Sequence, residues 1–91
     1  MKKSVRFFIS GNLQPLFFNN FIKENADKIG VKGFVRAMDD GRMEIFVEGN
    51  LDDVKAMAEV CKRGPKHAQL RNIEEREASF QGFKDFKVLK I

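Results

Sequence analysis

Few residues in this chain have the type and placement to handle a phosphate. Between Gly11 and Phe21 it reads GNLQPLFFNNF, an apolar strand running into a helix. At such a junction the unpaired N–H groups of the first helical turn, with the positive pole of the helix, favour an anion. A phosphate site would add a fixed cation and a compliant loop. Here the loop carries Pro15, which has no N–H and a φ held near about −65°, followed by the uncharged Leu16, Phe17, Phe18 and Asn19. Lys23, one turn past Asn19, is the helix cation best placed to reach back. Arg6 on the preceding strand is the other candidate, and the ordinary alternative for Lys23 is a solvated helix position.

The remaining chemistry-bearing side chains read as structural. His67 is the only histidine and Cys61 the only cysteine, too few for a metal centre, so no metal is expected and His67 is read as a structural or surface residue. Cys61 falls on the apolar stripe of a helix, where burial raises a thiol's pKa, and no activating base stands near. Asp39 and Asp40 precede Gly41 in a tight turn and are ordinary hairpin residues rather than a catalytic acid pair.

The elements that position these residues follow from periodicity. Val5, Phe7 and Ile9 alternate with Arg6 and Phe8, the two-residue period of a strand with one face buried. Beyond the loop, Phe18, Phe21, Ile22, Ala26 and Ile29 recur at helical spacing, with Gly30 as a left-handed stop. VKGFVRAM and RMEIFVEG are two strands joined by a DDG hairpin. Asn50 is placed to cap a second helix with the stripe Leu51, Val54, Met57, Ala58 and Cys61, closed by Gly64 and Pro65. A weak strand pattern runs through Ala68, Leu70 and Ile73, and a stronger one through Phe86 and Val88, leaving Glu74 to Gln81 unassigned. The order β-α-β-β-α-β plus one strand predicts an α+β, ferredoxin-like split βαβ sandwich. Its antiparallel sheet would have four to five strands with two helices on one face.

With 91 residues and 43% hydrophobic content, the chain suits one domain, residues 1–91, around one core. Ten Phe with no Trp or Tyr place most aromatic area in packing. Seventeen basic against thirteen acidic residues give +4, with signs interspersed, a balance as suited to solubility as to an anionic partner. The FFI run is too short for a signal-peptide core and no eighteen-residue apolar span exists, so a cytoplasmic protein without a membrane segment is expected.

The landmarks GNLQ at Gly11 to Gln14, FF at Phe17 and Phe18, IGVKGFVR at Ile29 to Arg36, DG at Asp40 and Gly41, EG at Glu48 and Gly49, and GP at Gly64 and Pro65 come in a familiar order and spacing. Through them the chain resembles the acylphosphatase family from about Val5 to Ile91. The resemblance implies hydrolysis of carboxyl-phosphate bonds without metal or cofactor. In the family's division of labour, first-loop amides cradle the phosphate, an Arg at the start of helix one binds it, and an Asn near the end of the second strand orients the attacking water. The anion-loop equivalents are then Gln14, Pro15, Leu16, Phe17 and Phe18. Pro15 stands where the family has Gly, while Phe17 occurs in some members. The Arg position is Asn19 and the Asn position Ala37, so the resemblance implies a disabled centre. Asn lacks the guanidinium fork that grips phosphate through two parallel bonds, and Ala37 has no polar atom to hold a water. Arg36, by strand alternation, faces away from Ala37.

The expectation is therefore a monomeric, non-catalytic acylphosphatase relative with a binding or vestigial role and an unidentified partner. One alternative is an active enzyme that takes acyl phosphates with Lys23 as substitute anion ligand. Another is single-stranded nucleic-acid binding, since KGFV at Lys32 to Val35 faintly echoes RNA-recognition domains and Phe8 and Phe46 would share the uncovered sheet face. The nucleic-acid reading is disfavoured because Glu44 and Glu48 flank Phe46 and repel phosphates, and cross-strand packing of the two rings is the simpler account. The apolar LQPLFF loop either faces a partner or folds inward to plug the pocket, and the plug is the expected arrangement.

Overall fold

The computed structural model describes residues 1–66 and 68–89; the expectation for His67 lies outside them. Seven elements follow in order: β1 (Lys2–Asn12), α1 (Pro15–Ile29), β2 (Lys32–Ala37), β3 (Met43–Asn50), α2 (Leu51–Arg63), β4 (Gln69–Glu77) and β5 (Phe86–Leu89). They form the ferredoxin-like α+β fold, with strand order β4-β1-β3-β2-β5 and two helices on one sheet face.

Alternation along the strands sorts the side chains. Val5, Phe7 and Ile9 of β1, Val35 of β2 and Met43, Ile45 and Val47 of β3 point to the helices. There they bury with Phe18, Ile22 and Ala26 of α1 and Val54, Met57 and Cys61 of α2 in one core. Burying such side chains, at about 25 cal/mol per Å² of apolar surface, drives the two layers together. The DDG hairpin forms as its residues require. Gly41 takes φ 91°, and Asp40 accepts the Arg42 N–H at 3.0 Å and binds its guanidinium at 2.8 Å. Those bonds hold the Asp40 carboxyl below its ordinary pKa.

Several expectations are corrected. The sheet is mixed, because β5 pairs parallel with β2 while all other pairs are antiparallel. The chain leaves β4 at one edge and reaches β5 at the other, so it arrives running in the direction of β2. The weak pattern after α2 is a nine-residue strand that starts at Gln69, leaves Ala68 outside and runs on to Glu77. Asn50 occupies the N-cap of α2 but its side chain makes no capping bond; the Leu51 N–H donates to the Met1 carbonyl at 2.9 Å. Of the ten Phe, Phe7, Phe18, Phe46 and Phe86 are buried, whereas Phe17 and Phe80 are exposed. Among the described residues no helix is long and apolar enough to cross a membrane.

The sheet face away from the helices is not bare. Residues 78–85, a strap between β4 and β5, run across it. The Gln81 and Phe83 N–H groups donate to the two oxygens of Glu48 at 2.8 and 2.7 Å, and the Ser4 hydroxyl donates to the same carboxylate at 3.2 Å. Glu48 is 1% exposed. Phe83 of the strap packs on Phe34 and Phe46, whose rings stack at 5.8 Å. A buried carboxylate is tolerable only when its oxygens are hydrogen-bonded, and here backbone donors bond them. Glu48→Gln turns an amide NH₂ toward at least one of those donors. It is expected to lower stability by about 2 kcal/mol, read as a fall in the urea midpoint; an unchanged midpoint would show that the strap is held by other contacts.

Candidate active site

The β1–α1 junction is shaped by a close approach of backbone. At Gly11 a β-bulge shifts the β1–β4 register, and a Cβ there would collide with the Gln69 carbonyl oxygen and stand 2.9 Å from Leu70 Cα. Only glycine lets β4 follow β1 to the start of the loop. The helix then begins earlier than its apolar spacing suggests. Pro15 is its first residue, pre-set by its fixed φ, and the Phe18 N–H already donates to the Gln14 carbonyl at 2.9 Å. The anion-loop candidates Gln14 to Phe18 are thus an N-cap and a first turn. Of the four amides such a start leaves without an intrahelical partner, Pro15 supplies none, so Gln14, Leu16 and Phe17 remain. No acidic side chain and no side-chain cap compete for them.

The apolar residues of this turn do not act as a plug. Leu16 is 71% and Phe17 68% exposed; only Phe18, 1% exposed, enters the core. The expected inward fold fails because three successive residues of a helix span most of its circumference, and one of them alone can face the sheet.

Asn19 is half-buried, and its Oδ1 is buried without a hydrogen-bond partner. Ala37, the last residue of β2, is half-buried against the core. Lys23 does not reach back toward Asn19, for its Nζ is paired with Asp27 Oδ2, one turn further on, at 2.6 Å. Arg6 and Arg36 lie on the opposite sheet face, where both meet the buried Glu44. Arg36 Nε bonds Oε1, and Arg6 Nε lies 3.3 Å from Oε2.

Sequence reasoning missed a groove of about 720 Å³ lined by Leu13, Phe17, Phe21, Glu24, Pro65 and Lys66 among others. At about 100° per residue, Phe17, Phe21 and Glu24 lie on one flank of the buried Phe18–Ile22–Ala26 stripe and Asn19 on the other. The groove therefore shares Gln14, Phe17 and Phe18 with the anion-loop candidates and lies on the flank of α1 away from Asn19. One wall of the groove, Pro65, Lys66 and Ala68, comes from the loop after α2, which has no sequence pattern linking it to α1.

The nucleic-acid platform is absent as drawn. Phe46 is 0% exposed, stacked on Phe34 and roofed by Phe83. Its register partner on β1 is Arg6, not Phe8, so the two rings expected to pair do not. Phe8, half-buried, is instead flanked by the guanidinium groups of Arg42 and Arg76 at 5.0 and 5.9 Å.

The family model for acylphosphatase matches residues 5–88. The chain belongs to the acylphosphatase family. An acylphosphatase of Rubrobacter xylanophilus is 38% identical over 87 residues, covering 94% of this chain and 79% of its own. One from Alkalilimnicola ehrlichii is 34% identical, with 98% and 100% covered. The crystal structure of acylphosphatase from Bacillus subtilis superposes with a TM-score of 0.89 at 30% identity, covering 99% of this chain and 100% of that one. Within this acylphosphatase fold the strand-helix junction, the hairpin and the second strand lie where the landmark residues imply.

Cys61 is buried, and burial pushes its thiol up to about 12, with Glu75 adding to the shift. It is protonated at neutral pH and is not a nucleophile. The unfolded chain loses this proton near pH 9.0 and the folded one near 12, so the contribution is complete below pH 9 and is lost as the pH rises through that window, by up to about 1.4 kcal/mol per pH unit. The stability advantage of the native chain over Cys61→Ala should accordingly shrink between pH 8 and pH 10.5, measured by urea unfolding at each pH. A constant difference would show a thiol free to ionise in place.

Proposed function

We propose that this acylphosphatase-family domain does not turn over acyl phosphates and serves as a binding module on a retained scaffold. Asn19 stands at the position that the resemblance gives to the phosphate-binding Arg. The observation that carries the reading is that its Oδ1 is buried and unpartnered, a lone pair where an anion needs a donor. With the amide turned over, one neutral NH₂ would still replace a charged two-pronged fork. The cations that could compensate are held elsewhere, Lys23 by Asp27 and Arg6 and Arg36 around Glu44. Ala37 offers nothing to a water, and Pro15 withdraws one amide from the cradle. The lone reduced thiol of Cys61 fits a cytosolic setting.

A second reading is favoured by the relatives named acylphosphatase and by the free amides of Leu16 and Phe17. In it, residual hydrolysis occurs at the α1 N-terminus with Lys23 released from Asp27 to meet the phosphate. One missing oxyanion donor costs roughly 10²–10³ in rate. Asn19→Arg combined with Ala37→Asn is therefore expected to raise benzoyl phosphate hydrolysis at least about 100-fold over a native chain that stays near background. Native turnover well above background, abolished by Lys23→Ala, would establish the second reading instead.

A further inference from the structure

On the sheet face opposite the helices, Arg6 of β1 and Arg76 of β4 are direct cross-strand partners. Like charges placed this way repel and destabilise a sheet unless something lies between them. They line a polar pocket of about 290 Å³ together with Phe8, Glu77, Ala78, Ser79 and Gln81. Alternation along β4 turns the Glu77 carboxylate to the other face, where Lys3 holds it at 2.8 Å. It does not neutralise the pocket.

The arginines of this face are unequally paired. Arg6 and Arg36 share the single carboxylate of Glu44. Arg76 is bonded to Glu74 at 2.8 Å and Arg42 to Asp40 at 2.8 Å. Among these four guanidinium groups Arg6 is the one without a hydrogen-bonded carboxylate of its own. Arg36 takes the close bond to Glu44, and the buried Arg6 Nε makes no hydrogen bond at all, its 3.3 Å approach to Oε2 being badly aligned. The Gln81 Nε2 donates one N–H to the Ser79 carbonyl at 3.3 Å and keeps the other. Two opposed arginines, a hydroxyl and that remaining N–H offer more donors than a carboxylate's two oxygens accept, and match the three acceptor oxygens of a phosphate group.

We propose that the Arg6–Arg76 pocket is a phosphate-binding site, separate from the β1–α1 junction, that takes inorganic phosphate or a small phosphate monoester. The phosphate lies between the two guanidinium groups with Ser79 and Gln81 as further donors, and the Phe8 edge gives an organic substituent an apolar contact. Because the pocket is on the far side of the sheet from Asn19, it is independent of whether acyl phosphates are hydrolysed.

The test is a titration of the ¹⁵N-labelled full chain with inorganic phosphate and with phenyl phosphate at low salt, where screening is weak. Saturable shifts of the Phe8 amide and of the amides from Arg76 to Gln81 are expected, with Kd near about 1 mM. Arg76→Gln, an exposed substitution that leaves the Glu44 cluster intact, should weaken binding at least about tenfold. Arg63→Gln on α2, of equal charge change, should leave it unaltered. Tighter binding of phenyl phosphate would identify an organic phosphate as the ligand class; equal binding would show that the phosphate group alone is recognised. Absence of saturable shifts, shifts confined to Leu16 and Phe17, or equal loss in both arginine variants would overturn the proposal.

Discussion

The Glu48 carboxylate is the point on which the second face of the sheet depends. Its oxygens take two strap amides and one hydroxyl, and an ionised group removed from water needs that many donors to be stable there. By fixing Gln81 and Phe83 it fixes the path of the strap, so that the Gly33 N–H donates to the Asp85 carbonyl at 3.0 Å and β5 enters beside β2. The same path lays Phe83 over Phe34 and Phe46. A sheet face that would otherwise expose stacked aromatic rings becomes a small second core, and an adhesive aromatic surface is lost with it.

Next to this anchor, Glu44 organises the charged part of the face. It is buried between Arg6 and Arg36, and Arg6 lies over the Phe46 ring with its guanidinium carbon 5.3 Å from the centroid. Cation, carboxylate and aromatic face thus interlock across three strands. The outer strand β4 carries Arg71, Glu74, Glu75, Arg76 and Glu77, and a charged edge of this kind discourages pairing with another sheet. Glu75 is also tied to Lys62 of α2 at 3.3 Å, which links the edge strand to the helix layer.

The α1 helix has three different surfaces. Phe18, Ile22 and Ala26 hold it to the sheet. One flank, with Phe17 and Phe21, walls the large groove, and the other carries Asn19. The absence of charge or cap in its first turn leaves a bare positive pole, while the side chains around that pole are apolar or neutral. The scaffold therefore keeps the backbone half of an anion site without the side-chain half.

Periodicity and turn chemistry alone determined the two helices, the hairpin, the helix-facing core and the uncharged character of positions 15 to 19, because each depends on neighbours in sequence. The landmark residues likewise sufficed for the family. Helix boundaries were less legible: Pro15 can end a loop or begin a helix, and the competition is decided by the Phe18 N–H finding the Gln14 carbonyl. Only the tertiary structure decided that β5 lies parallel to β2, that Glu44 and Glu48 are buried, and that Leu16 and Phe17 face outward. It alone also set Arg6 opposite Arg76. The strap residues 78–85 have no regular period, and their partners lie more than thirty positions away. What fixes them is a long-range hydrogen bond to a buried charge, and in the sequence that charge is only another glutamate in a strand.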